Sequence, residues 1–255
     1  MNFAPAAADD PIARALDYPY EAPGGSYLFR DGRAEALPGG YEFAGRVPVI
    51  AHGSNRAPAQ LFRKFGAVGE IPVTAIWLDG YDVVFAAQFA RYGAIPATLW
   101  PVPGVRARLH LTWLDDSQLR VMHVSEGVMR PDGGPVAAPR YGIRLLATAA
   151  CDLRGTVADP LVYLALQGAL CGRALDGVAG PIAFTGIEVE GRSLPQATGR
   201  EVIAGIARRH FAETAEGLVT RIAADEALRQ AATDALSPFA LAPDLAGCRN
   251  YTVKA

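Results

Sequence analysis

The chain has 255 residues, 51% of them apolar and 20% charged, with a formal net charge of −2. A chain of this length and composition buries a substantial core, which excludes a disordered or fibrous protein. The charge balance disfavours nucleic acid as a partner, and the absence of any run of about 18 apolar residues disfavours a membrane protein.

The first 40 residues are rich in Ala, Pro, Gly and Asp and are interrupted by the breakers APGG and LPGG. This composition predicts an irregular N-terminal extension over residues 1–40, with a short helix near Pro11 to Leu16. Asp9 and Asp10 lie where a signal peptide would be basic and then apolar, so we expect a cytoplasmic protein.

The next segment, residues 41–150, is rich in predicted strands. A buried strand at 47–51 leads to a helix at 57–65, with Pro58 suited to its first turn. Asp115 or Asp116 can cap a short helix that runs through 119–122. The remaining runs predict strands, with a turn at PVPG, over residues 71–80, 81–89, 94–102, 105–114 and 141–150.

The last segment, residues 151–255, is predicted to be mostly helical and to pack on the strand-rich core. Its apolar spacing predicts helices over 160–170, 199–210 and 215–236, with a loop-like stretch at 180–196. The three cysteines and four histidines show no metal-ligand spacing, and no dinucleotide or Walker-type motif is present, so neither metal nor cofactor is predicted.

Residues 51–55, AHGSN, form a polar corner where a strand gives way to a helix. Backbone N–H groups at such a corner can hold a carboxylate or phosphate. Gly53 permits close approach or positive φ, while Ser54 and Asn55 offer side-chain donors or a helix cap. Taken alone, this stretch is more simply interpreted as a strand-to-helix turn with an ordinary cap.

Glu126, in MHVSEG, follows the predicted short helix and stands in an apolar region. Burial there would raise the pKa of its carboxyl toward neutrality, which suits a general base. The simpler interpretation is a surface glutamate before a helix-ending glycine.

Taken together, these segments resemble the γ-glutamylcyclotransferase-like family over about residues 46–150. The matching pieces, in the family's order, are AHGSN (51–55), LDGYDVVF (78–85), YGAIPATLWPVPG (92–104), LTWLDDSQL (111–119) and MHVSEG (122–127). The resemblance implies an α+β fold with a mixed, barrel-like β core and a pocket between the corner and the glutamate.

The resemblance also implies an activity. The corner, Gly53 to Asn55, would bind the carboxylate end of a small amide substrate, and Glu126 would be the general acid/base. In that reaction the substrate's α-amine attacks its γ-carbonyl, which forms 5-oxoproline and releases an amine. Tyr92, in a loop between two predicted strands, is either solvated or a further substrate-binding residue.

This sequence departs from the family pattern at two positions. His52 stands where the family has a tyrosine, and His123 where it has an aspartate. A histidine can supply acid/base chemistry, so His52 is a second candidate catalytic residue, although both histidines can also be structural. Allophanate-type amide or carboxylate processing through His52 is therefore an alternative.

A non-catalytic binding or assembly domain is the remaining alternative, with a homodimer through the helical C-terminal segment as one possibility. A buried Glu126 that faces the corner across an open cavity would favour an enzyme, whereas an outward-pointing Glu126 or a filled pocket would favour the binding domain.

Overall fold

The computed structural model describes residues 10–67, 69–152, 154–177, 179–242 and 248–253. The helices are α1 Pro11–Leu16, α2 Pro58–Phe65, α3 Asp116–Ser125, α4 Gly199–Ile206, α5 Ala215–Ala224 and α6 Glu226–Leu236. The first eight strands are β1 Tyr27–Arg30, β2 Arg33–Ala36, β3 Val47–Ala51, β4 Glu70–Phe85, β5 Ala97–Leu114, β6 Tyr141–Leu146, β7 Thr148–Cys151 and β8 Gly155–Ala158. The others are β9 Leu161–Ala165, β10 Ala169–Leu170, β11 Ala183–Phe184, β12 Val189–Glu190, β13 Gln196–Ala197, β14 Ala240–Leu241 and β15 Cys248–Asn250.

The fold is mixed α+β around one large sheet. Its main path runs β13-β11-β4-β5-β3-β9-β6-β15, and β1, β2, β7, β8 and β12 attach beside it. Two pairs, β3 with β9 and β11 with β13, are parallel, and the others are antiparallel. Among the described strands, the two ends of the path do not pair with each other. The expectation of a barrel-like core is therefore wrong in one respect, because the described sheet does not close into a barrel.

The long strands β4 and β5 form a continuous antiparallel ribbon where four shorter strands were expected. The predicted turn at PVPG is present as a bulge: Asp79 pairs with Arg106 and Tyr81 with Pro101, so residues 102–105 oppose Gly80 alone. Gly80 has φ +78°, a conformation that favours glycine. The break in the pattern marks a local kink, and pairing resumes beyond it.

The predicted helices next to the corner are confirmed. Pro58 is the first residue of α2, whose Leu61 is buried in the core. Asp115 caps α3: its side chain accepts from the Gln118 N–H, and the Gln118 side chain accepts from the Asp115 N–H. This capping box fixes where the helix that carries Glu126 begins.

The prediction of an irregular segment over residues 1–40 is wrong for part of it. Helix α1 is present as expected, but β1 and β2 form a hairpin, and β1 pairs with β4 in the main sheet. Leu28 and Phe29 are fully buried there. The flanking Gly and Pro residues concealed two strands of only four residues each.

The segment 151–255 is less helical than predicted. Residues 161–165 form β9, a strand whose five residues are all buried, in place of the predicted helix at 160–170. A strand covered on both faces reads as a continuous apolar run, which periodicity cannot distinguish from a buried helix. The 180–196 stretch also contains the short strands β11 and β12.

In the described part of residues 151–255, the first α-helix begins at Gly199. Helix α4 continues into a π-helical turn over Ala207–Phe211, and Asp225 separates α5 from α6 by capping the latter. Buried side chains of α4 and α5, including Val202 and Leu218, belong to the same apolar cluster as residues of β4 and β5. None of the helices in the described part of the chain is both long and apolar enough to span a bilayer.

Candidate functional site

The polar corner follows β3 directly. His52 and Gly53 leave the strand, Ser54–Arg56 forms one 3₁₀ turn, and Ala57 is the N-cap of α2. The N-cap makes no side-chain hydrogen bond, so neither Ser54 nor Asn55 caps the helix. The capped-turn interpretation of this corner therefore does not apply.

Asn55 points to Glu126. Its Nδ2 donates to Glu126 Oε1 at 2.8 Å, although the two residues are 71 positions apart. Glu126 is the C-cap of α3, and its side chain is only 14% exposed. The structure thus brings together the corner and the glutamate that the sequence singled out.

Lys64 completes this cluster from α2. Its Nζ lies 2.5 Å from Glu126 Oε1, and its side chain is 8% exposed. Burial raises the pKa of the Glu126 carboxyl, but the charge of Lys64 and the hydrogen bond from Asn55 outweigh burial and hold that pKa below its usual value. The expectation of a raised pKa is therefore wrong, because it took no account of a buried cation. Glu126 is an ionised carboxylate at neutral pH.

His52 is buried beside the corner. Burial lowers the pKa of its imidazole to about 4, so the ring is neutral at pH 7. Its Nε2 lies 3.3 Å from the carbonyl oxygen of Ala97 and donates to it in the matching tautomer. Nδ1 is then the acceptor nitrogen, and it has no hydrogen-bond partner among the described residues.

Gly53 meets a residue from the N-terminal segment. A Cβ placed on Gly53 would lie 2.2 Å from the Tyr18 hydroxyl, so no other residue fits there without movement. That hydroxyl accepts from the Ala97 N–H at 3.0 Å, and burial raises its pKa above the usual range. Tyr18 therefore holds the corner against β5, and the close approach expected at Gly53 is to the protein's own chain.

We expect Gly53→Ala to lower the free energy of unfolding by about 1–3 kcal/mol, as overpacking of a filled site typically does. Adding Tyr18→Phe removes the clashing oxygen, so the double variant should lose less than the sum of the two single losses. Urea unfolding of the four proteins measures this. Gly186→Ala, where a Cβ meets nothing within 4 Å, is the control. Strict additivity would contradict the predicted contact.

A cavity of about 930 Å³ opens beside the Glu126 cluster. Its walls include the corner residues 52–55, Glu126 and Tyr92, which are the candidate site residues from the sequence. Among the described residues, its lining has seven basic side chains and two carboxylates, Glu126 and Glu226. The basic ones are Arg14, Arg63, Lys64, Arg91, Arg120, Arg140 and Arg229. A cavity with this excess of positive charge suits an anionic ligand.

His123 lies apart from the described lining of this cavity. It belongs to α3, and its side chain is buried. Its Nδ1 lies 2.7 Å from the Tyr163 hydroxyl, and burial lowers its pKa. His123 is thus a satisfied core residue, which was one of the two interpretations of its position.

Sequence reasoning did not assign Tyr18, Lys64 or Arg229 to the site. Tyr18 lies in a segment predicted to be irregular, and Arg229 lies on a helix predicted to pack on the core without any residue of it being assigned to the site. Lys64 belonged to the expected polar face of α2, where a basic residue ordinarily faces solvent. The position of Lys64 in the helix that directly follows the corner was the only sign that it could reach the site.

No family model and no curated protein matches the sequence. Solved structures are similar to this chain in fold over part of its length, among them the following three. The uncharacterized protein loc79017 from Homo sapiens is 12% identical with a TM-score of 0.38, over 69% of this chain and 88% of that one. A gamma-glutamyl cyclotransferase is 11% identical with a TM-score of 0.38, over 74% and 99%. YkqA from Bacillus subtilis is 17% identical with a TM-score of 0.38, over 78% and 70%. At similarities this low, none of the three bears on what the cavity does.

Proposed function

We propose that this protein is a small-molecule enzyme that cyclises an amide substrate and releases an amine, with Glu126 as general acid/base. The observation that carries the proposal is the buried Glu126 carboxylate, hydrogen-bonded to Asn55 of the corner at the wall of a cavity of about 930 Å³. Cavities of this size are typical of small-molecule sites.

The proposed chemistry needs few groups. The substrate's α-amine nitrogen forms a bond to its γ-carbonyl carbon, and the amide C–N bond breaks. Glu126 takes the proton that the attacking nitrogen gives up and delivers it to the leaving nitrogen, so no water enters the products. Because both reacting groups belong to one molecule, the protein mainly has to fold the substrate and move one proton.

The corner and Lys64 have distinct parts in this scheme. The corner binds the carboxylate end of the substrate, and Lys64 keeps Glu126 ionised until the reaction begins. A substrate carboxylate that draws Lys64 toward itself would raise the pKa of Glu126 and improve it as a proton carrier.

His52 supports a second candidate, an amide- or carboxylate-processing enzyme of the allophanate type. It is neutral and lines the same cavity, and its acceptor nitrogen has no partner among the described residues. A neutral imidazole with a free acceptor nitrogen can take a proton. Its pKa of about 4 makes it a weak base at pH 7, and a bound anion beside the ring would raise that pKa.

The test is incubation of the purified protein with γ-glutamyl peptides, γ-glutamyl amines and ureido acids in ¹⁸O-water, with products identified by mass spectrometry. We expect conversion of a γ-glutamyl compound to 5-oxoproline without ¹⁸O, together with the free amine. Formation of glutamate that carries ¹⁸O would show that the protein hydrolyses the amide and does not cyclise it. Turnover of ureido acids alone would favour the His52 candidate, and no turnover of any compound would overturn both.

A further inference from the structure

Three arginines from separate elements line the same cavity. Arg14 comes from α1, Arg140 from the residue before β6, and Arg229 from α6. Two of them lie outside residues 46–150, the segment that carries the family resemblance. The corner and the Glu126 cluster use none of the three.

Arg229 is the most deeply buried of them, with 6% exposure. Its Nη2 donates to Glu226 Oε1 at 2.9 Å, but the Glu226 side chain is 86% exposed. Its Nε is buried and has no hydrogen-bond partner among the described residues. A buried guanidinium with an unused donor is costly unless a ligand supplies the acceptor.

The other two arginines form no ion pair with a carboxylate among the described residues, although the charge of Glu226 also acts on Arg140. Arg14 stacks on the Tyr92 ring, 4.2 Å from its centroid, and its buried Nε has no described partner. Arg140 donates Nη1 to the Phe89 carbonyl oxygen at 2.5 Å. Burial, followed by the positive charge of Arg229, lowers the pKa of Arg140, so these two guanidiniums are close enough to repel each other.

The charges point to the ligand. Glu226 offsets one of the three guanidinium charges, which leaves two positive charges at this wall. A carboxylate would neutralise only one of them, whereas a phosphate monoester carries about −1.5 to −2 at pH 7. Arginine forks also match the geometry of phosphate oxygens.

We propose that Arg14, Arg140 and Arg229 form a binding subsite for a phosphate monoester, so that the cavity takes a small phosphorylated molecule. This inference extends the proposed function, because it gives that substrate a dianionic group in addition to the end held at the corner. Its test measures binding alone and therefore does not depend on turnover.

The probes are glycerol 3-phosphate, glycerate and glycerol, which share a three-carbon frame and carry a dianion, a monoanion and no charge. Isothermal titration calorimetry at constant ionic strength should give at least tenfold tighter binding for glycerol 3-phosphate than for glycerate, and none for glycerol. Arg229→Gln and Arg14→Gln should each weaken phosphate binding about tenfold or more. Arg200→Gln, on an exposed side chain away from the cavity, should leave it unchanged.

Glu226→Gln gives the sharpest comparison, because its effect has the opposite sign. Removing the exposed carboxylate frees Arg229 and should tighten binding of glycerol 3-phosphate, an effect that a merely structural Arg229 would not produce. Equal affinity for glycerate and glycerol 3-phosphate, no binding of either, or unchanged affinity in all three cavity variants would overturn the proposal. Phosphate binding by the unchanged protein, if that protein turns over no amide, would uphold this subsite and reject the proposed reaction.

Discussion

Glu126→Gln is expected to lower kcat for amide turnover about 100- to 10,000-fold with little change in KM, since a general acid/base contributes rate enhancements of that size. The amide oxygen of glutamine still accepts from Asn55, whose Nδ2 lies 2.8 Å from Glu126 Oε1, so the corner keeps its contact. What the variant loses is the proton acceptor. Steady-state kinetics on whichever substrate the panel identifies measures the effect.

Two comparisons make this result interpretable. Glu35→Gln changes a carboxylate on β2 that does not line the described cavity, and it should leave kcat unchanged. Thermal unfolding of Glu126→Gln corrects for any loss of folded protein, because the variant leaves Lys64 without its counter-ion. Activity that survives in Glu126→Gln and disappears in His52→Gln would move the proton transfer to His52.

Lys64→Met should lower the free energy of unfolding by about 3–5 kcal/mol at pH 7.5, as breaking one side of a buried ion pair does. The lysine and glutamate side chains are 8% and 14% exposed, so solvent screens the remaining charge little. Methionine fills the same apolar path beside Met122, which keeps the change in packing small. Urea unfolding measures the difference from the unchanged protein.

This loss depends on pH in a defined direction. In the unchanged protein the pKa of Glu126 is below its unfolded value, so the pair stabilises above that unfolded pKa and its contribution is lost as the pH falls through the folded one. Without Lys64, burial dominates and raises the pKa of Glu126. Acid then protonates the carboxyl, which removes the unpaired buried charge that destabilises the variant. The deficit should therefore shrink between pH 7.5 and pH 5.

The double variant Lys64→Met/Glu126→Gln is the matched control. It has no buried charge at this position and should recover much of the stability that Lys64→Met loses, with no pH dependence of its own from this pair. His110, whose pKa burial lowers to about 4, destabilises every variant in acid equally and cancels in the comparison. His52 does not cancel fully, because the charge of Glu126 raises its pKa and the double variant removes that charge. An equal deficit at pH 5 and pH 7.5 would contradict a charged Glu126.

The local parts of the site could be predicted because they depend on neighbouring residues. The strand at 47–51, the helix that starts at Pro58 and the capped helix before Glu126 follow from apolar spacing, proline and a capping aspartate. That the corner and Glu126 meet was implied by the family resemblance, which rests on the order of these elements along the chain.

Other parts could not be predicted, because they depend on the partner across the fold. The sign of the Glu126 pKa shift depends on Lys64, and helical spacing alone cannot say whether a lysine faces solvent or a buried carboxylate. Strand β9 was mistaken for a helix because burial on both faces removes the alternation that identifies a strand. The open sheet follows from which strands pair at its ends, and that pairing leaves no local pattern.

The cavity walls come from distant parts of the chain, and this constrains when the site can form during synthesis. The Tyr18–Ala97 hydrogen bond spans 79 residues, and the bond from the Phe89 N–H to Thr233 on α6 spans 144. Closing such long loops precedes the contacts that compensate for them, so folds of this kind form slowly. Until α6 leaves the ribosome, the nascent chain presents the strand-rich part of the cavity uncovered. Its apolar lining is then a surface on which chaperones or aggregation partners compete with folding.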